Sequence, residues 1–280
     1  MLFIINELFY ATLSFYFSAG ITLLLTKYRS TFAALTLSFL IPLSAQATVV
    51  EIRTVLGDIQ VNLFDETTPA TVANFLDYVN SGAYANNVVH RVEPNFVVQA
   101  GGFQYNAELP LDEVQKGTPV TNEPELSNLR GTIAMAKAEG NPNSATSEWF
   151  FNLANNSSNL DAQNGGFTVF GQVIGDGMQV VDAITAITRF NAGGAFTSLP
   201  LRDYDGSSSI VEQNLVLITD IVVIDGATVT NAQLNPVANT LINPPVFVGG
   251  DPESGGGGGG SISWLLALVG FGLLRKRMSY

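Results

Sequence analysis

A single histidine, His90, stands beside an arginine, Arg91, in the stretch VVHRVEPNFVVQAGGF at residues 88–103, and Gln99 follows eight residues later. Cations are scarce in this chain, with 12 Lys and Arg against 24 Asp and Glu. A guanidinium set among Val and Phe therefore asks for a reason. Two explanations compete: a strand-end charge satisfied by a carboxylate such as Glu93, or a surface whose work is done by a permanently charged hydrogen-bond donor. Other chemistries fall away. Cysteine is absent, which removes thiol nucleophiles, thiolate metal sites and disulfides. With one histidine there is no multi-histidine metal site, and a Ser-His-Asp relay would have to use His90. Residues 48–254 carry seven Lys and Arg against 23 Asp and Glu, a net charge of −16. That balance argues against nucleic acid as a partner and against docking on anionic lipid.

The elements that must position these groups are mostly strands. Residues 47–64 alternate on both sides of Gly57-Asp58, a hairpin signal, and further strands are expected at 88–92, 96–100, 131–136, 148–153, 168–174 and 216–225. Residues 67–84 instead carry a helix: Thr68 can cap it, Pro69 suits its first turn, and Val72, Phe75, Leu76 and Val79 fall at helical spacing before Gly82. A second helix fits 177–187, with Met178, Val181 and the stretch Ile184–Ile187 on one face. Two helices among some eight strands suggest a mainly β domain, a barrel or sandwich with helices packed on it. Strict alternation puts Val97 and Gln99 on one face of a strand and Phe96 on the other. Phe96 can join them only if Pro94-Asn95 makes a turn, which Pro94 favours.

Both ends differ from this body. Residues 27–47 read as a secretory signal, with Lys27 and Arg29 before an apolar stretch and Ala45-Gln46-Ala47 as a cleavage site, so Thr48 is the expected mature start. The apolar residues 1–26 fit either a membrane-spanning extension or translation from a downstream start. Residues 227–254 have Pro, Asn and small residues without a lasting period and are expected to form an extended linker. Residues 255–280 open with six consecutive glycines, followed by the apolar run ISWLLALVGFGLL and a basic RKR. The run is short of the roughly 20 residues that span a bilayer.

Three motifs within the body, HRVEPNFVVQAGGF (90–103), RGTIAMAKAEGNPNSATSEWFFNL (130–153) and NLDAQNGGFTVFGQVIGDGMQVVDAI (159–184), resemble the cyclophilin family of peptidyl-prolyl isomerases. The resemblance covers residues 48–226 and implies a closed eight-stranded antiparallel β-barrel capped by two α-helices, with a substrate groove on its outer surface. It implies no cofactor and no metal, since rotating an amide needs no covalent chemistry. Arg91 matches the family's catalytic arginine, and Gln99 the glutamine that steadies it and binds substrate main chain. Phe96, Val97, Phe150, Leu160 and Phe167 match positions around the proline pocket. Ala136, Lys137 and Ala138 match a segment that pairs its backbone with the bound peptide. Glu148 stands where the family has a glutamine near the groove, and Asn159 where an aromatic is usual. His90 is expected to be a buried structural neighbour of the arginine.

The C-terminal order of glycine tract, apolar helix and basic cluster resembles GlyGly-type sorting signals handled by rhomboid-family proteases. The expected protein is thus exported, periplasmic or on the cell surface, and processed by signal peptidase; its C-terminal segment is either cleaved by a rhomboid-type protease or kept as a membrane anchor with RKR on the cytoplasmic side. It would act on proline-containing unfolded or partly folded exported polypeptides. Its rival is a proline-peptide-binding chaperone or adaptor with weak catalysis. Because an aromatic at position 159 helps bind cyclosporin in the family, Asn159 predicts weak cyclosporin affinity with turnover retained; nanomolar inhibition in a peptide isomerisation assay would contradict this.

Overall fold

The structure, a computed structural model, describes residues 48–225 and 234–242. The expectations about the export signal, the start of translation and the sorting segment lie outside the described residues. Among the described residues no helix is long and apolar enough to cross a membrane.

In chain order the elements are β1 (Val49–Thr54), β2 (Gly57–Leu63), α1 (Pro69–Asn80), β3 (Asn87–Val88), β4 (Arg91–Glu93), β5 (Val97–Ala100), β6 (Phe103–Gln104) and β7 (Asp112–Glu113). After them come β8 (Thr132–Met135), β9 (Trp149–Asn152), the one-turn α2 (Ser157–Leu160), β10 (Val169–Val173), α3 (Gly177–Thr185), β11 (Arg189–Phe190), β12 (Leu199–Pro200) and β13 (Leu217–Asp225). One antiparallel sheet runs in the order β4-β5-β9-β8-β10-β2-β1-β13-β3-β6-β7, and β11 pairs only with β12.

The fold is mainly β, as expected, but its ladder is not a continuous ring of eight strands. The sheet has eleven. Short β6 and β7 extend it beyond β3, and residues 87–93 contribute two pieces separated at Val89-His90. The first piece pairs with β13 and the second with β5. Val89 N donates to Val216 O and His90 N to Gln99 O across the break. The sheet therefore curls until both of its flanks meet on one segment of chain.

Two local expectations need correction. The hairpin turn is Val55-Leu56, not Gly57-Asp58: Thr54 pairs with Gly57. The Thr54 hydroxyl accepts from Leu56 N and donates to Gly57 O, closing a two-residue loop. Gly57 sits at φ +131°, and a Cβ there would lie 3.1 Å from Val180 on α3. The start of α1 is likewise not capped by the Thr68 side chain. Glu123, some fifty residues away, takes the role, accepting from Ala70 N at 3.2 Å, Thr71 N at 2.9 Å and the Thr71 hydroxyl at 2.7 Å. A carboxylate there satisfies orphan N–H donors and meets the positive end of the helix dipole.

The core lies between the inner face of the curled sheet and the helices. Val72, Phe75, Tyr78 and Val79 bury one face of α1, and Val181 and Ile184 one face of α3. Phe75 anchors this layer, with ring centroids 5.0 Å from Phe170, 5.5 Å from Tyr84 and 6.4 Å from Trp149. Removing the cap carboxylate with Glu123→Ala should lower unfolding stability by about 1 kcal/mol, measured by urea denaturation. A Thr68→Ala change should lower it by less.

Candidate active site

The register of five strands builds the site. Arg91 opposes Gln99, Gln99 opposes Phe150, Phe150 opposes Ala134, and Ala134 opposes Val169. Because side chains alternate along a strand, the next row, Val92, Val98, Phe151 and Ile133, faces the main core. One row thus looks inward and the other forms an outer surface. There Val97, Ala134, Phe150, Leu160, Phe167 and Val169 make a second apolar cluster, with Phe96 packed against it.

Phe96 joins this face through a turn. Phe96 N donates to Glu93 O at 3.0 Å, and Asn95 adopts a left-handed φ of +59°. That is the break the sequence required at Pro94-Asn95. Leu160 comes from the one-turn α2, and its carbonyl accepts from Phe167 N. Phe167 then meets Phe150 edge to face at 5.9 Å. Arg91, Phe96, Val97, Gln99, Phe150, Leu160 and Phe167 together line an open notch. Its lining is apolar apart from Arg91 and Gln99.

Arg91 is held from two sides. Its Nε lies 3.3 Å from Glu93 Oε1, and one terminal nitrogen donates to Gln99 Oε1 at 3.3 Å. Glu93 is itself fixed by the Ser198 hydroxyl. The arginine side chain is only 15% exposed, and this burial lowers its pKa against the opposing pull of Glu93. A guanidinium remains charged regardless. Gln99 Nε2 donates to Glu148 Oε2 at 2.8 Å. A carboxylate only accepts, so this bond turns the amide oxygen of Gln99 toward Arg91. Burial acts to raise the Glu148 pKa, but hydrogen bonding and charge from His90, then Gln99 and Lys116, outweigh it and leave it below the ordinary carboxylate value. His90 is buried behind this pair, its Nε2 3.5 Å from Glu148 and its ring edge-on to Phe103. Gly102 has no Cβ where one would press to 3.0 Å on the Glu148 side chain.

Of the residues expected from sequence, seven converge on the notch. Glu148 touches it only through Gln99. Asn159 is not among the lining residues; its neighbour Leu160 is. Ala136 belongs to the outer cluster, its N–H already donating to Glu148 O. The Ala138 N–H donates to the Ser144 hydroxyl and its carbonyl accepts from Asn164. Lys137 is the one of the three whose main chain carries no such internal bond among the described residues. Its side chain is 4% exposed. Its ammonium donates to Asn122 Oδ1, Asn164 O and Gly166 O and lies 4.7 Å above the Phe167 ring. It bolts the turn behind that wall of the notch.

A buried amide network does the same for Leu160 and was not foreseen. Asn156 bonds Phe96 O and Asn152; Asn152 bonds Asn128 and Thr132; the Asp161 carboxylate accepts from Ser127, Asn128 N and Asn128 Nδ2. Among the described residues, no group of three or more His, Asp or Glu converges as a metal site would require.

A curled antiparallel sheet thus carries a guanidinium beside an outer apolar notch. The chain belongs to the cyclophilin-type peptidyl-prolyl cis-trans isomerases: the model of that family, described as "Cyclophilin type peptidyl-prolyl cis-trans isomerase/CLD", matches residues 49–200. A peptidyl-prolyl cis-trans isomerase of Acinetobacter baylyi is 42% identical over 149 residues, 52% of this chain and 76% of that one. Peptidyl-prolyl cis-trans isomerase A of Dickeya dadantii is 41% identical over 182 residues, 63% of this chain and 86% of that one. A solved cyclophilin type isomerase from Cryptosporidium parvum aligns at 24% identity with a TM-score of 0.48, over 64% of this chain and 98% of that one.

Burial lowers the Lys137 pKa to about 8. An unfolded lysine titrates near 10.4, so between these values the unfolded chain binds more protons than the folded one, and stability rises with pH through that window. Denaturation midpoints from pH 7.5 to 10.5 should therefore climb more in the wild type than in Lys137→Met. Equal slopes would contradict the assignment.

Proposed function

We propose that the notch holds the prolyl ring while Arg91 donates a hydrogen bond to the prolyl nitrogen as the imide rotates. The barrier is about 18–20 kcal/mol because the nitrogen lone pair is conjugated with the carbonyl. At the twisted geometry that lone pair is free and accepts a hydrogen bond far better than in the planar ground state. A donor placed there favours the transition state over the substrate, and each 1.4 kcal/mol or so of preference is worth a factor of about ten in rate. Nucleophile, metal and cofactor have no part in it.

The observation that carries this reading is the shared wall: Arg91 and Gln99 border the same notch as Phe96, Phe150, Leu160 and Phe167. Gln99, oriented by Glu148, steadies the guanidinium and offers its amide to the substrate main chain. Peptide pairing falls to the Lys137 backbone, since the N–H groups of Ala136 and Ala138 already donate within the domain.

The substrates we propose are proline-containing segments of unfolded or partly folded exported polypeptides, met in the periplasm or at the cell surface. Support for this comes from the sequence alone: a signal-like segment ending at Ala47, which signal peptidase would remove, and a Gly-rich, apolar and basic terminus suited to a rhomboid-type protease. A second reading, a proline-peptide-binding adaptor with weak catalysis, is favoured by one contact. Glu93 lies against the Arg91 Nε and competes with substrate for its charge.

Kinetics on an Xaa-Pro peptide separate the two. Arg91→Ala should cut kcat by about 100-fold, the cost of losing one transition-state donor, with peptide affinity and melting temperature little changed. Arg91→Lys keeps the charge without the fork and should recover only part of the loss. Equal kcat in Arg91→Ala and wild type would favour the adaptor.

A further inference from the structure

Residues 234–242 fall within the stretch expected to be an extended linker, yet they lie against the domain. Ala238 forms an antiparallel bridge with Leu126, flanked by hydrogen bonds from Ser127 N to Val237 O and from Asn239 N to Glu125 O, both 2.8 Å. The Asn239 side chain donates to Asp161 O at 2.8 Å, and its Oδ1 accepts from Leu241 N. Leu234 packs against the outer cluster that contains Val97, Phe150, Leu160 and Phe167. At the other end, the Ile242 Cδ1 atom lies 3.2 Å from where a Cβ on Gly166 would sit.

These contacts surround one wall of the notch. Asp161 directly follows Leu160, and its carboxylate is gripped by Ser127 and Asn128, the same short stretch on which the bridge at Leu126 is built. The segment thus ties residues 125–127 to the backbone at 161 and adds Leu234 to the cluster around Leu160. Neither Leu234 nor Asn239 lines the notch itself. Two further apolar side chains of the segment, Val237 and Leu241, are exposed, so its docking is selective in which side chains it uses.

We propose that residues 234–242 act as a strap that positions the Leu160 wall, with Leu234 and Asn239 as positioning residues that set how tightly the notch holds a prolyl ring. This rests on the reading of the notch as the proline site. Residues 234–242 lie well before the glycine tract that starts at 255, so processing at that tract would leave them with the domain.

The test uses the full chain with Leu234→Ala, Asn239→Ala, the exposed control Leu241→Ala and the conservative Leu234→Met. Steady-state kinetics on an Xaa-Pro peptide, run well below each variant's melting temperature, should show KM raised about three- to tenfold in the first two variants. That is the scale of one modest lost contact, and kcat should stay within about twofold. Leu234→Met should restore KM and Leu241→Ala should not move it. Unchanged KM in Leu234→Ala and Asn239→Ala would overturn the strap's role, as would a loss that tracks stability and is not rescued. If the wild type itself fails to isomerise the peptide, the reading of the notch has failed instead. The strap is then tested by the Leu160 methyl resonances: a shift in Leu234→Ala and Asn239→Ala supports positioning, and unmoved resonances overturn it.

Discussion

Strand register is the constraint on which this site depends. Arg91, Gln99, Phe150 and Ala134 share one cross-strand row, and Val92, Val98, Phe151 and Ile133 share the next. A slip of one residue in β4 would carry Arg91 into the core and Val92 onto the surface. Burying an unpaired guanidinium would cost several kcal/mol. Two features hold the register. Trp149 and Phe151 are large and almost fully buried on the inner face, so β9 has one acceptable phase. The tight turn through Pro94 and Asn95 couples β4 to β5 and delivers Phe96 to the same face as Arg91.

Within that frame, charge is arranged as a chain of partners from Glu93 through Arg91 and Gln99 to Glu148 and His90. Each link restricts the next. Glu148 fixes the amide of Gln99, the amide and Glu93 fix the guanidinium plane, and Ser198 fixes Glu93. Two of the five N–H groups of Arg91 are drawn into these contacts, which leaves a preorganised donor at the edge of an apolar notch. Preorganised donors cost no rearrangement when the lone pair appears. The acidic partners have an opposing effect, because each carboxylate near the guanidinium offsets part of its field. On the proposed mechanism, the balance between orientation and offset would separate an efficient isomerase from a mere binder.

Much of this was legible in the sequence because it lies in local patterns. Period-two alternation located the main strands, helical spacing located α1 and α3, and the HRVEPNFVVQAGGF stretch with two later motifs pointed to Arg91, Gln99 and the notch. What the sequence hid is long-range and polar. Nothing near Thr68 reveals that Glu123 caps α1, since the pairing spans some fifty residues. The amides of Asn128, Asn152 and Asn156 look like ordinary loop residues until the fold buries them together. Lys137 sits where its backbone drew attention, while its side chain fastens Asn164 and Gly166. The 234–242 segment has no period to read because a single bridge, three side chains and a few backbone bonds dock it. The strand count differed for a related reason: residues 87–93 serve two neighbours in turn, which alternation alone does not disclose.

The central claim is that a prolyl ring occupies the notch beside Arg91. Intermolecular proton contacts measured by NMR between an Xaa-Pro peptide and the full chain test it most directly. The account predicts contacts from the prolyl ring protons to Phe96, Phe150, Leu160 and Phe167, retained in Arg91→Ala. Ring contacts to any other surface, with none to those four side chains, would contradict it.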